Sequence, residues 1–108
     1  MVREMDTLGV EAIQGISSRV SLAGEVDLSR FEEIDQALAE AEASAPATLE
    51  IDVSEVSFMD SQGLRLLLRA RERAAAKDRR LTLVDPSPAV RHLLELSGLN
   101  DEFDITDR

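Results

Sequence analysis

The spacing of apolar residues changes several times along this chain. Some segments repeat an apolar residue at every second position, which predicts strands, and others at every third or fourth position, which predicts helices. The segments follow one another in the order β-β-α-β-α-β-α. Each of the two strand-helix-strand connections implies parallel neighbouring strands joined by a right-handed crossover. The sequence therefore predicts a small α/β domain with a mixed sheet.

The strands themselves indicate where the helices lie. Residues 7–14 and 18–25 alternate on either side of a turn at 15–18, which predicts a hairpin. Residues 48–53 form the next strand, with its acidic side chains on one face. Its other face is apolar, being formed by Leu49, Ile51 and Val53. Because a strand between two helical layers would be apolar on both faces, we expect the helices to lie mainly on one side of the sheet.

Three helices are predicted, and two have clear start signals. Ser29 and Glu32 form a capping box for the first helix, which Pro46 ends. Ser87 caps the third, which is followed by Gly98 in a left-handed C-terminal position. The second helix covers residues 61–77. Its predicted buried residues are Leu64, Leu67, Leu68 and Ala75, and its predicted exposed residues are Arg65, Arg69, Glu72 and Arg73. The tail, residues 101–108, is a candidate for a short edge strand.

Composition excludes several classes of function. The length of 108 residues fits one domain. A net charge of −10 and only three aromatic residues argue against nucleic acid as a partner, since phosphate neutralisation and base stacking would both be weak. With no cysteine and a single histidine, His92, we expect no metal site and no cofactor. No segment resembles a membrane span or a signal peptide, so we expect no membrane insertion and a cytoplasmic location.

Two loops fall at the carboxyl ends of predicted strands, where α/β sheets usually meet ligands or partners. They are residues 24–27 and 57–63. Asp60 and Ser61 stand where the second helix begins, and either residue is a good N-cap. Gly63 is unusual there, because glycine costs about 1 kcal/mol against alanine in a helix. Close approach of the backbone to a ligand or partner, or a tight contact with the sheet, would each explain it.

Catalysis by these residues is not supported. Strand, turn, serine and helix occur in the order of a hydrolase nucleophile elbow, but Met59 replaces the first glycine of that motif. His92 is the only candidate base, and it neighbours Arg91 outside the apolar stripe of its helix. Carboxylates of Glu25, Asp27 and Asp60 could form an acid pair, yet too little chain surrounds them for a pocket. The residues alone therefore predict a non-enzymatic module with an acidic, serine-bearing helix start.

Three segments form a recognisable set: SFMDSQGLRLLL at residues 57–68, GEVD at 24–27 and SPAVRHLLELSGL at 87–99. Together they resemble the STAS domain family, specifically bacterial anti-anti-sigma factors (anti-sigma factor antagonists). The resemblance implies a single STAS-like domain over residues 1–108, with its motif-bearing core at about 18–103. The family fold, a mixed sheet with helices chiefly on one side, agrees with the strand pattern.

The resemblance also implies a partner switch without catalytic activity of its own. Family members bind an anti-sigma factor that is also a serine kinase, and a sigma factor is thereby released. The kinase phosphorylates the serine after the motif's aspartate, here Ser61, and a phosphatase resets the switch. The residues that it implies for partner binding are Asp27, Asp60, Ser61, Gln62, Gly63, Arg65 and Arg69. The alternative role is a STAS scaffold or accessory subunit of a stress-signalling or lipid-transport complex.

This chain departs from the family pattern at two of these positions. Gln62 stands where a second serine or threonine is common, and Arg65 where glycine is frequent.

Residues 61–80 hold seven of the twelve basic residues, and Arg65, Arg69 and Arg73 share one helical stripe by their four-residue spacing. That stripe is either a docking face or a solvated face. A docking face predicts that charge reversal at Arg65 weakens partner binding while reversal at Arg30, on another helix, does not.

Overall fold

Five strands form one sheet in the order in which they occur along the chain. The computed structural model describes residues 8–13, 17–43 and 46–107. The elements are β1 (Leu8–Ile13), β2 (Ser17–Val26), α1 (Phe31–Ala43), β3 (Thr48–Met59), α2 (Ser61–Ala76), β4 (Arg80–Val84), α3 (Pro88–Ser97) and β5 (Asp104–Thr106). β1 pairs antiparallel with β2, and the remaining neighbours are parallel. The mixed sheet, the element order and the short edge strand are as predicted; the turn predicted at 15–18 lies partly outside the described residues.

The helices cover one face of this sheet. Val20, Ile51 and Leu83 lie side by side in register, and all three are fully buried. They form one core cluster with the apolar residues of all three helices, among them Leu38, Leu67 and Leu94. Successive right-handed crossovers in one direction place their helices on the same face, which explains the arrangement. The one-sided layering predicted from β3 is therefore confirmed.

β3 is twice as long as the strand predicted at 48–53. It spans twelve residues against ten in β2, and the pairing register shifts twice. At the first shift the Asp52 carboxylate accepts hydrogen bonds from the Ser54 amide and hydroxyl, at 3.0 and 2.7 Å. These irregularities break the alternation of buried and exposed residues after Val53, so the sequence pattern loses the strand there.

Helix ends agree with prediction at α3 and differ at α1. The Ser87 hydroxyl accepts from the Val90 amide, and Gly98 has φ +71° while the Leu99 amide donates to the Leu94 carbonyl at 2.9 Å. The capping box predicted at Ser29 is wrong. A 3-10 turn, Leu28–Arg30, precedes α1, and Ser29 lies inside it with its hydroxyl donating to Asp27. A carboxylate is the stronger acceptor, so the cap moves to Asp27.

The buried stripe of α2 differs in part from the predicted one. Leu64 and Leu67 are buried as expected, whereas Ala75 is exposed and Leu68 is half-buried. The additional buried residues are Gly63, Leu66, Ala70 and Ala74. The stripe is wider than a single face because α2 packs against α1 as well as against the sheet.

Candidate functional site

The ends of β2 and β3 bring the two predicted loops together. Val26 and Met59 are the last paired residues of these strands, and Asp27 and Asp60 follow them directly. The Asp60 amide also donates to the Val26 carbonyl at 3.4 Å. Both aspartates therefore lie at one edge of the sheet, at the start of α2.

Asp60 is the N-cap of α2. One of its carboxylate oxygens, Oδ1, accepts from the Gln62 amide at 2.9 Å and from the Gly63 amide at 3.1 Å. These bonds satisfy two of the amides that a helix start leaves without partners. Ser61, the first residue of the helix, is exposed, and Gln62 is half-buried. Ser61 is therefore an exposed serine that directly follows the capping carboxylate of Asp60.

Gly63 is required by a close approach of α2 to the sheet. A Cβ atom at this position would lie 2.6 Å from the Met59 Cγ and 2.8 Å from the Val26 carbonyl oxygen. The backbone oxygen cannot easily move aside, so a side chain here would push the helix start away from β2. Of the two explanations for this glycine, the structure shows the tight contact with the sheet.

The turn after β2 supplies the other half of the site. The Asp27 carboxylate accepts from the Ser29 amide at 2.9 Å and from the Ser29 hydroxyl at 2.5 Å. Arg30, at the end of this turn, donates to the carbonyls of Ala23 and Glu25 at 2.8 Å each. Arg30 is thus part of the site's framework, and the prediction that treats it as a neutral reference position does not suit this structure.

Two exposed apolar side chains flank the aspartates. Leu28, next to Asp27, is 67% exposed, and Phe58, two residues before Asp60, is 48% exposed. Among the described residues, the other large exposed apolar side chain is Leu96 on α3. The sequence reasoning missed both flanking residues. The sequence signal that could have indicated Leu28 is that this apolar residue lies outside any helical stripe.

The arginine stripe of α2 divides into two parts. Arg69 lies 3.5 Å from the Asp35 carboxylate, with its guanidinium 5.6 Å from the centre of the Phe31 ring. Arg73 donates three hydrogen bonds to the Glu42 carboxylate and lies 3.7 Å from Asp35. The hydrogen bonds to Glu42 raise the pKa of Arg73 above the usual arginine value. These two arginines tie α2 to α1, and Arg73, which was expected among the solvent-exposed residues, is half-buried.

Arg65 is the part of the stripe that faces outward. It is exposed, and within residues 8–13, 17–43 and 46–107 it forms no ion pair. It lies one turn after Ser61, at the site's end of α2. Arg69 is two turns from Ser61, about 12 Å along the helix axis.

Groups that would support catalysis or metal binding do not gather at this site. His92 is exposed on α3. No group of three or more metal-ligating side chains occurs among the described residues. No helix in the described ranges is long and apolar enough to cross a membrane. The arrangement presents exposed apolar side chains next to carboxylates and serine hydroxyls at one edge of the sheet.

Comparison with curated proteins finds sigma-factor regulators. The chain is 31% identical over 86 residues to the anti-sigma-B factor antagonist of Listeria monocytogenes, covering 80% of this chain and 75% of the relative. It is also 31% identical over 84 residues to the anti-sigma-F factor antagonist RsfB of Mycobacterium tuberculosis, covering 78% and 68%. Both names denote regulatory proteins rather than enzymes.

Solved structures and a family model give the same result. An anti-sigma factor antagonist from Mycobacterium paratuberculosis matches with a TM-score of 0.82 and 33% identity, covering 93% of this chain and 84% of that one. SpoIIAA of Bacillus in its phosphorylated form matches with a TM-score of 0.75 and 28% identity, covering 94% and 91%. The family model described as "Mlab, STAS domain" matches residues 3–107. The chain therefore belongs to the STAS domain family.

Proposed function

We propose that this chain is an anti-sigma factor antagonist, which binds an anti-sigma factor and so frees a sigma factor. The observation that carries the proposal is Ser61: an exposed hydroxyl at the first residue of α2, beside the capping carboxylate of Asp60. The antagonists named above share this fold and match most of the chain.

The docking surface that we propose surrounds Ser61 at the ends of β2 and β3. We call it the Ser61 surface, and it comprises Asp27, Leu28, Phe58, Asp60, Ser61, Gln62 and Arg65. Leu28 and Phe58 supply apolar area, and the charged residues supply orientation and selectivity. Gly63 is buried, so its contribution is the placement of Ser61 rather than direct contact. Arg69 contributes in the same indirect way, since its guanidinium is engaged with α1.

Phosphorylation of Ser61 by a serine kinase partner, and its reversal by a phosphatase, would switch this surface. A phosphate adds about −1.5 to −2 charges at neutral pH. Asp60 already occupies the Gln62 and Gly63 amides, which would otherwise help to bind a phosphate at the helix start. The new charge would therefore stand next to a carboxylate. One structural relative is described in a phosphorylated form, which supports the proposal for this chain.

The proposed protein acts by binding alone. It has no catalytic activity, needs no cofactor or metal and recognises neither nucleic acid nor membrane. The carboxylate next to Ser61 is that of Asp60, and its Oδ1 accepts hydrogen bonds from two backbone amides. It caps the helix and is not placed as a base that removes the Ser61 proton.

A capture experiment tests the proposal. Tagged wild type, Ser61→Ala and Ser61→Asp proteins are incubated with lysate of the source organism, and bound proteins are identified by mass spectrometry. Wild type and Ser61→Ala should retain an anti-sigma factor, and Ser61→Asp should release it. Gln36→Glu, which adds one negative charge on the exposed side of α1, serves as the control and should bind as wild type does.

The purified captured protein then shows whether it is the kinase. With ATP it should phosphorylate wild type at one site, mapped to Ser61, and leave Ser61→Ala unmodified. Capture of the same proteins by wild type and Ser61→Asp would instead support a scaffold whose binding ignores charge at Ser61. Absence of any anti-sigma factor among the proteins retained by wild type would contradict the proposed function.

A further inference from the structure

Arg30 joins the turn after β2 to the backbone of β2 itself. One guanidinium nitrogen, Nη1, donates to the Ala23 carbonyl and to the Glu25 carbonyl, both at 2.8 Å. The side chain is only 13% exposed, and its Nε lies 3.6 Å from a Glu33 carboxylate oxygen. Charge-assisted hydrogen bonds of this kind are stronger than those between neutral groups. Arg30 therefore fixes the end of the strand with a largely buried side chain. We call its two hydrogen bonds, to the carbonyls of Ala23 and Glu25, the clamp.

The clamp acts where the sheet is irregular. Gly24, between the two bonded carbonyls, has φ +81°, a left-handed conformation that favours glycine. The pairing of β2 with β3 shifts register on both sides of Ala23 and Gly24. Regular ladder bonds are interrupted at such irregularities, so the backbone here depends more on other partners.

The start of α2 rests on the next residue of β2. Val26 accepts the Asp60 amide through its carbonyl, and that same oxygen limits how closely Gly63 can approach. A shift of the β2 end would therefore move the cap of α2 and, with it, Ser61. Arg30 lies at the beginning of this chain of contacts.

We infer that Arg30 is a positioning residue for the Ser61 surface: it fixes the end of β2 and thereby the place of Asp60 and Ser61. Its role toward a partner rests on the proposed function, but its role in holding the α2 start does not. A lysine side chain could also donate to these carbonyls, but it is one bond shorter than that of arginine. Arg30→Lys should therefore keep part of the positioning effect.

Backbone hydrogen exchange, followed residue by residue by NMR, tests the inference without any partner. The amides of Asp60, Gln62 and Gly63 report on the start of α2, and the amide of Leu83 in the central sheet reports on global unfolding. Arg30→Met removes the donors and keeps an apolar stem. Arg73→Met is the matched control, because it removes another hydrogen-bonded arginine, one that ties α2 to α1 away from Ser61.

Arg30→Met should speed exchange at the three reporter amides at least about tenfold relative to Leu83, and Arg30→Lys should have a smaller effect. Arg73→Met should change them less than about twofold. If Arg30→Met does not fold, Arg30→Lys is compared with Arg73→Lys. Only Arg30→Lys should then speed hydrogen exchange at the reporter amides. Equal acceleration at reporters and Leu83, or equal effects of the Arg30 and Arg73 variants, would overturn the inference.

Affinity gives a separate readout. For the anti-sigma factor captured by wild type, Arg30→Met should weaken binding at least about tenfold and Arg73→Met should not. Unchanged affinity in Arg30→Met would overturn the positioning role toward the partner. If wild type captures no anti-sigma factor, the proposed function fails, while the exchange measurement still decides whether Arg30 positions the start of α2.

Discussion

At position 63, local helix propensity favours alanine, whereas tertiary packing favours the glycine that is present. An alanine would favour the helix by about 1 kcal/mol, since glycine is the poorer helix former. Its Cβ, however, would lie 2.8 Å from the Val26 carbonyl oxygen. Overpacking of this kind typically costs about 1–3 kcal/mol. We therefore expect Gly63→Ala to lower the free energy of unfolding, measured by urea titration.

The sign of that change is the informative result. Gln62→Ala, at the neighbouring half-buried position, is the control and should alter stability by less than about 0.5 kcal/mol. A stability gain in Gly63→Ala would mean that helix preference prevails and that α2 does not approach β2 this closely.

Leu28 places an exposed apolar side chain directly beside Asp27. At 67% exposure it adds little to folding, but burial against a partner would remove its side chain from water. We expect Leu28→Ala to weaken binding of the anti-sigma factor about tenfold while leaving the melting temperature near that of wild type.

Leu96 provides the matched comparison for Leu28. It is 73% exposed on α3, outside the Ser61 surface. Leu96→Ala should leave affinity unchanged in the same titration. Equal losses at the two leucines would place the partner elsewhere or show that it covers both regions.

At the scale of elements, α2 has an exposed arginine at one end and intramolecular contacts along its middle. Arg65 is exposed near Ser61, whereas Arg69 and Arg73 contact α1. Reversal of an interface charge places it against the complementary group of the partner. We expect Arg65→Glu to weaken binding more than about tenfold, measured by calorimetry.

Lys77 replaces Arg30 as the reference for this prediction. It is exposed at the end of the same helix, about 18 Å from Arg65 along the axis. Lys77→Glu should bind within about twofold of wild type. Similar losses for both reversals would show a general effect of net charge, and the stripe would then be a solvated face.

The helix layer itself can be tested in its centre. Ile51 of β3 and Leu67 of α2 are both fully buried in the common core. Truncation of such residues usually costs about 2–5 kcal/mol, because contacts are lost and a cavity remains. Ile51→Ala and Leu67→Ala should each lower unfolding free energy by that amount, and losses below about 1 kcal/mol at both would contradict the packing.

How well each element was predicted follows from how local its signals are. The two ends of α3 depend on local signals, Ser87 at the start and Gly98 with Leu99 at the end, and both were predicted correctly. The full length of β3 depends on register shifts against β2 and on the hydrogen bonds from Ser54 to Asp52. Neither feature produces a periodic pattern in the sequence. The start of α1 was wrong because two acceptors, Asp27 and Ser29, compete within three residues.

The site was predicted in the same uneven way. Asp27, Asp60 and Ser61 follow strands, so their meeting at one sheet edge follows from parallel topology. The roles of Arg30, Arg69 and Arg73 depend on partners 3 to 38 residues away in sequence, such as Glu33 for Arg30 and Asp35 for Arg73. The contacts of Arg69 and Arg73 come from the packing of α1 on α2, and those of Arg30 come from the turn folding against β2. A stripe of basic residues is equally compatible with a solvated face.

In the whole molecule, folding and the proposed recognition involve different regions. The core lies between the sheet and the helices, and Ser61 is exposed at one end, so a charge there should leave the fold intact. In a complex the same charge would be shielded from water. Against one partner carboxylate at about 5 Å, with an effective dielectric of about 20, repulsion is roughly 3 kcal/mol per unit charge. That weakens affinity about a hundredfold.

The most direct measurement determines affinity for the anti-sigma factor and melting temperature on the same samples of wild type, Ser61→Ala and Ser61→Asp. All three proteins should melt at similar temperatures, Ser61→Ala should bind like wild type, and Ser61→Asp should bind about a hundredfold more weakly. Wild-type affinity in Ser61→Asp, or a loss of binding that parallels a loss of folded protein, would contradict the electrostatic switch.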